Sequence, residues 1–451
     1  MFNVITDPYA DGRNVNYSVV SVPNGPTSGN VLQKNIPLIV DTLTFGHLTA
    51  VKHGNGRDWW LIIPEEDTNR YYTWLLSPSG VSTPTLQIAG DSLDSGLGMN
   101  FFSPNGSKYI RVEQRYINQP GYVAVFDFDR CTGQLSNMQK HTFPDIFNNY
   151  GGAVSYNSRY LYVMRSTTIV QFDLLADDIF ASEILVAESD LFISGFAPPW
   201  FHFAQAGPDG RIYITTAGGR KHLNYINFPN RQGEDCKVIQ HGISMEVYNL
   251  TIPNFPNFRL GPLDDSSCDT LGLNNHPSAR FRWEPENKNL PLRISFTDLS
   301  AYEPDEWLWD FGDGTTSQDT NPVHNFPSAG LFNVCLTVSN AYNSSTFCLP
   351  VNLEDGGIGV SSKEAFASSA SFLLSPNPAN ASVQLWWAKP TGFDQTLTLV
   401  DSKGMVVQTH QIPSGQQQVE IDVQMLPNGI YWIRFGAANG YSEFKKLVVL
   451  H

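Results

Sequence analysis

The sequence contains no run of 18 uncharged apolar residues, so no membrane-spanning helix is expected. Positive charge is also scarce: 28 Lys and Arg stand against 43 Asp and Glu, a formal net charge of −15 at pH 7. That balance argues against nucleic acid as a partner, because phosphate binding needs clustered Lys and Arg. The signatures of common catalytic and metal centres are missing. There is no H-E-x-x-H, no G-x-S-x-G elbow, no phosphate-binding loop and no C-x-x-C pair. His47 and His53 flank "LTAVK" and His202 lies in "PPWFHFAQAGPDG", each without a suitably spaced carboxylate. No catalytic residue, metal site or cofactor is therefore assigned. The start, "MFNVITDPYADGRNVN", lacks the basic region and apolar stretch of a signal peptide.

What is present points to β structure. Aromatic residues reach 12 %, and 36 Gly with 29 Pro supply many turns. That mixture predicts an all-β protein of short strands, and its length predicts several domains. Four segments repeat: "HGNGRDWWLII", "FSPNGSKYIRV", "SYNSRYLYVMR" and "AGPDGRIYITT". Their turn residues Asn55, Asn105, Asn157 and Asp209 lie roughly 50 residues apart, the period of a propeller blade. Each precedes Gly or Ser, a pairing that fits a type I′ hairpin turn with two positive-φ residues. About five blades are expected over residues 1–262.

A different pattern follows a linker at 263–278. In "LFNVCLTV" Phe332, Val334, Leu336 and Val338 alternate with Asn333, Cys335 and Thr337, and Trp307, Trp309 and Phe311 alternate likewise. Residues 279–353 thus predict a small β-sandwich. Cys335 and Cys348 flank "SNAYNSST", so a hairpin turn would oppose them within disulfide reach. A bridge there implies an oxidising compartment. Cys236 and Cys268 form a second candidate pair, leaving Cys131 free. Residues 298–319 carry seven carboxylates and no Lys or Arg. Asp310 and Asp313 are weak Ca²⁺ candidates, since Ca²⁺ takes oxygen ligands, but the spacing is not that of an EF-hand and Asp-capped turns explain it better. After the small, Gly/Ser-rich linker 354–371, residues 372–451 read as a neutral β-sandwich, with five basic and five acidic side chains.

Three resemblances extend this reading. The stretches "LTAVKHGNGRDWWLI", "VFDFDRCTGQLSN" and "IPNFPNF" resemble propeller regions of secreted or surface proteins of Bacteroidota, in which an earlier blade and a signal peptide normally precede the point where this chain begins. The resemblance therefore implies an N-terminally truncated sequence. The string "WLWDFGDGTTSQDTNPVHNFPSAGLFNV" resembles a PKD domain, an immunoglobulin-like sandwich, with Trp309 in the core and Asp310, Phe311, Gly312, Asp313 and Gly314 closing a strand. The tail resembles a type A C-terminal sorting domain of the type IX secretion system. The matching residues are Pro376, Asn377 and Pro378; Leu399, Asp401, Gly404 and Val407; Asn428, Gly429 and Tyr431; and the terminal "FKKLVVLH" with Lys446. That resemblance implies export through the outer-membrane machinery, with the last strand as part of the address, and a secreted or cell-surface protein. The expected whole is a β-propeller, a PKD sandwich and a sorting domain, non-catalytic and binding extracellular carbohydrate or protein. The alternative is a propeller hydrolase or lyase acting on polysaccharide or a small ester.

Overall fold

The protein is described from a computed structural model. The structure describes all residues except 1, 7–12, 22–28, 45, 115–119, 145–148, 191–199, 218–219, 250–251, 254, 288–289, 354–372, 376–378, 387–394, 402–404, 417, 437–441 and 450–451. The described residues form strands and two short 3-10 turns. Among them no helix is long and apolar enough to cross a membrane.

A three-stranded sheet comes first, built from β1 (Phe2–Thr6), β2 (Arg13–Ser21) and β3 (Asn30–Asp41). Four blades follow, each a meander of antiparallel strands in sequence order. Blade I holds β4 (Thr49–Lys52), β5 (Trp59–Pro64), β6 (Arg70–Ser77), β7 (Gly80–Val81) and β8 (Thr85–Ile88), the last two both paired with β6. Blade II holds β9 (Leu97–Phe102), β10 (Lys108–Gln114), β11 (Tyr122–Phe128) and β12 (Leu135–Thr142). Blade III holds β13 (Asn149–Val154), β14 (Tyr160–Arg165), β15 (Thr168–Asp173) and β16 (Ile184–Glu188). Blade IV holds β17 (Phe201–Ala206), β18 (Ile212–Thr216), β19 (Arg220–Ile226) and β20 (Val238–Asn249).

The first strands of successive blades, β4, β9, β13 and β17, pack side by side, as the innermost strands of a propeller do. The middle strands of blades II and III are buried on both faces because each of these blades lies between two others. That is why "YVAVF" and "YLYVM" read as unbroken apolar runs. One core joins blades I and II through Ile62, Tyr71, Tyr109 and Phe126, a second joins II and III through Ile110, Val123, Leu161 and Val163, and a third joins III and IV through Tyr162, Met164, Phe201 and Ile214. Outer strands such as β8 and β12 are mostly exposed.

The PKD region contains β21 (Phe281–Asn287), β22 (Leu290–Asp298), β23 (Glu306–Asp310), β24 (Thr316–Ser317), β25 (Val323–Asn325), β26 (Gly330–Ser339) and β27 (Ser344–Leu353). Its sheets run β21-β22-β25 and β24-β23-β26-β27. Trp309 is its buried centre, edge-on to Phe281 at 5.0 Å and beside Phe296 at 5.3 Å.

The C-terminal region holds β28 (Leu373–Ser375), β29 (Ser382–Trp386), β30 (Gln395–Val400), β31 (Val406–Ile412), β32 (Gln418–Asp422), β33 (Gly429–Gly436) and β34 (Ser442–Val449). They form sheets β28-β29-β32 and β31-β30-β33-β34 around Val383, Leu385, Leu397, Leu399, Ile433 and Leu447. The chain divides into two compact units, the second comprising residues 352–451 with 284–294 and 325–331.

Candidate functional site

The four repeated turns share one geometry. The amide of the residue after each Asn or Asp closes a turn onto a carbonyl three residues back: Gly56 to His53, Gly106 to Ser103, Ser158 to Ser155, Gly210 to Gly207. The turn side chain accepts the amide two residues on, from Arg57 to Asn55, Ser107 to Asn105, Arg159 to Asn157 and Arg211 to Asp209. Only Gly56, Gly106, Ser158 and Gly210 take positive φ. The type I′ expectation is therefore corrected. The loops are longer than two residues, and the side-chain hydrogen bond leaves Asn and Asp in the ordinary region.

These turns all lie at one end of the blades, and that end is where the PKD region rests. Tyr156, in the blade III turn, donates its hydroxyl to the carbonyls of Leu299 at 3.3 Å and Ser300 at 3.0 Å. In the blade IV turn a Cβ added to Gly210 would stand 2.6 Å from Leu299 Cδ2. Arg259 donates to the Leu299 carbonyl at 2.6 Å, Arg282 donates to the Asn227 carbonyl, and Arg231 reaches Ser295 Oγ at 3.2 Å.

Arg130 ties the connecting segment into the same end. It is 2 % exposed and donates to the carbonyls of Lys52 at 2.9 Å, His53 at 3.4 Å and Gly261 at 2.5 Å, so one guanidinium joins blade I to the exit of the propeller. Its own carbonyl accepts Trp60 Nε1 and the Gly54 amide. Burial pulls its pKa down to about 10. Cys131 forms a disulfide with Cys268, and a Cβ on Gly54 would stand 2.5 Å from the Cys268 sulfur. The expected pairing of Cys236 with Cys268 is thus overturned: Cys236 is a buried free thiol in the core between blades III and IV. Cys335 does bridge Cys348, with Cα atoms 4.0 Å apart across β26 and β27.

Near the opposite ends of β4 and β10 lies a sealed ionic cluster. His47 Nδ1 is 3.1 Å from Glu113 Oε1, and Arg111 donates to the same oxygen at 2.9 Å, all three side chains being fully buried. Arg111 also reaches the Tyr71 hydroxyl at 3.4 Å. Burial pushes the Glu113 carboxyl up to about 7, although Arg111 opposes the shift. Arg111 and Glu113 stand two apart on one face of β10, and only folding brings His47, from before β4, against them.

In the PKD region the acidic residues serve the fold. Asp310 Oδ1 accepts the Gly312 amide at 2.9 Å, and Gly312 and Gly314 take positive φ. Asp313 accepts the Thr315 amide at 3.0 Å and holds His324 Nε2 at 2.7 Å, while His324 lies flat on Phe311. Hydrogen bonds from Thr315 and His324 keep the Asp313 carboxyl below its ordinary range despite partial burial. Asp298 accepts Trp307 Nε1. Among the described residues no group of three or more His, Cys, Asp or Glu is placed to hold a metal ion.

In the tail, Leu399 is buried and Tyr431 donates its hydroxyl to the Pro427 carbonyl at 2.8 Å. Asp401 caps the turn to Met405 at 2.9 Å. Asn428 is exposed and Gly429 begins β33. Pro376, Asn377, Pro378 and Gly404 lie outside the described residues. Lys446 stands in β34, opposite Trp432.

Residues 275–351 match the PKD domain family, and residues 374–450 match the secretion system C-terminal sorting domain family. A microbial collagenase of Vibrio alginolyticus is 31 % identical over 98 residues, which is 21 % of this chain and 12 % of that protein, so the chain spans only a small part of that relative. The PKD1 domain of a Vibrio cholerae metalloprotease is 29 % identical, covering 18 % of this chain and 98 % of that one, with a TM-score of 0.16. The periplasmic gluconolactonase of Pseudomonas aeruginosa is 15 % identical, covering 83 % and 98 %, with a TM-score of 0.31. A putative 6-phosphogluconolactonase of Bacteroides uniformis is 11 % identical, covering 93 % and 98 %, with a TM-score of 0.29. The chain is cargo of the type IX secretion system, delivered outside the cell or to its outer surface, and it carries a PKD domain.

Proposed function

We propose that this cargo is a non-catalytic binding protein whose propeller and PKD module hold extracellular carbohydrate or protein. The observation that supports this reading most is the His47–Arg111–Glu113 cluster. These ionisable side chains pair at one Glu113 oxygen in a site with no exposure, the arrangement of a buried ion pair. The docked PKD sandwich gives the protein a second surface beside the blades.

One observation favours the alternative of a propeller hydrolase or lyase. A carboxyl held near 7 beside an imidazole is the pairing a general acid–base mechanism requires. One experiment separates the two. Purified full-length protein is run through gels containing different polysaccharides and over immobilised collagen, the latter chosen because of the stretch shared with a collagenase. The same preparation is incubated with lactones, simple esters and the retained polysaccharide. Retention without product formation is expected. Turnover that Glu113→Gln abolishes would overturn the non-catalytic reading.

A further inference from the structure

A cleft opens at the outer edge of blades II and III. One wall is β12, which offers Gln139, Lys140 and His141, and the other is the segment after β15, with Asp177, Asp178 and Phe180. Its volume of about 590 Å³ falls within the roughly 300–1,000 Å³ of ligand sites. The walls are pinned together. Gln139 accepts the Ile179 amide at 3.0 Å and donates to the Asp177 carbonyl at 3.1 Å. Asp178 Oδ1 accepts the amides of Phe180 and Ala181, both at 3.1 Å. His141 lies on Phe180 with ring centroids 5.5 Å apart, and Phe180 stands edge-on to the buried Phe172. The cleft is therefore preformed, and a ligand need not order it.

The groups left open to a ligand are mixed in kind. The Asp177 side chain is exposed and takes no hydrogen bond or ion pair from a described residue. Asp178 is exposed too, its cap using one oxygen only. Lys140 is exposed, and His141 and Phe180 are half-buried. Carboxylates only accept, an ammonium only donates, an imidazole does either, and a phenyl ring offers apolar surface. A ligand that suits all of them both donates and accepts within one small unit and carries an apolar face. A sugar ring does so through its hydroxyls and its C–H groups. A basic side chain of a protein would suit the two aspartates but meet Lys140, and a polyanion would meet two carboxylates against one lysine. Taking the chain as a binding protein, we propose that this cleft is a site for a neutral polysaccharide. The site rests on that reading and narrows it to one ligand class, with Asp177 and Asp178 as acceptors, Lys140 as donor and Phe180 as the apolar floor.

The test runs the full chain through native gels containing dextran, laminarin, xylan, galactomannan or alginate, and over immobilised collagen. At least one neutral polymer should retard the wild type, and alginate should not. Asp177→Ala removes an exposed acceptor, and Ala181→Trp fills the cleft from an exposed position on its lining. Each should weaken binding, read from retardation against polymer concentration, about tenfold or more. Thr85→Trp, at an exposed position on β8 of blade I, should leave it unchanged. If Ala181→Trp lowers the melting temperature, Asp177→Ala decides the matter, since it removes only an exposed side chain. Wild-type retardation of both cleft variants would overturn the cleft while leaving a binding protein, as would retention by collagen alone or by alginate alone. Retention by none of these, or turnover of a retained polymer, would instead overturn the binding reading and the cleft with it.

Discussion

At the scale of residues, two buried charges with opposite chemistry hold the propeller. Arg130 donates to backbone carbonyls, whereas Glu113 meets Arg111 and His47. The Glu113 carboxyl is raised above its ordinary value to about 7, so between those values the native protein binds more protons than the unfolded chain. Its contribution to stability is complete at low pH and is lost as pH rises through about 7. Melting temperatures at about pH 5 and about pH 8 should therefore differ less in Glu113→Gln than in the wild type. An unchanged pH slope would show that Glu113 is ionised throughout. None of this was legible in the sequence. Residues from separate blades meet only after folding, and a lone arginine after "FDFD" carries no periodic signal.

At the scale of elements, much more could be read. Asn or Asp followed by Gly or Ser, and then by runs rich in aromatic and β-branched residues, located β5, β10, β14 and β18. The Cys335–Cys348 bridge was legible from a hairpin midpoint, a local geometry. The Cys131–Cys268 bridge was not: its partners are 137 residues apart, and only the packing of the exit segment on the blade I turn brings them together. Loop length also ranks the two bridges. Removing Cys131–Cys268 should cost about 5 kcal/mol and removing Cys335–Cys348 about 3 kcal/mol in the chain-entropy account. Urea midpoints of Cys131→Ser and Cys335→Ser measure the difference, and mass spectrometry of unreduced peptides should find Cys236 unpaired.

At the scale of the whole molecule, address and cargo are separate pieces of chain. The strand β34 pairs with β33 at the edge of its sheet, makes an isolated bridge from Val449 to Ala379, and supplies Leu447 and Val449 to the core. Deleting residues Phe444 to His451 should leave the protein in the periplasm. Normal release of the shortened chain would remove the terminal strand from the address. The PKD region rests on the turn end of the blades through Tyr156, Arg259 and Arg282. The repeated turns are therefore seats for a neighbouring domain as well as hairpin ends, a role that a repeat period does not reveal.

The bridge from Cys131 to Cys268 also decides what a protease cut does. Cleavage anywhere between those residues, in the second half of the propeller, leaves two polypeptides still joined by one covalent bond. Outside the cell, where peptidases abound and reductants are scarce, a clipped copy would stay in one piece and migrate as two fragments only after reduction.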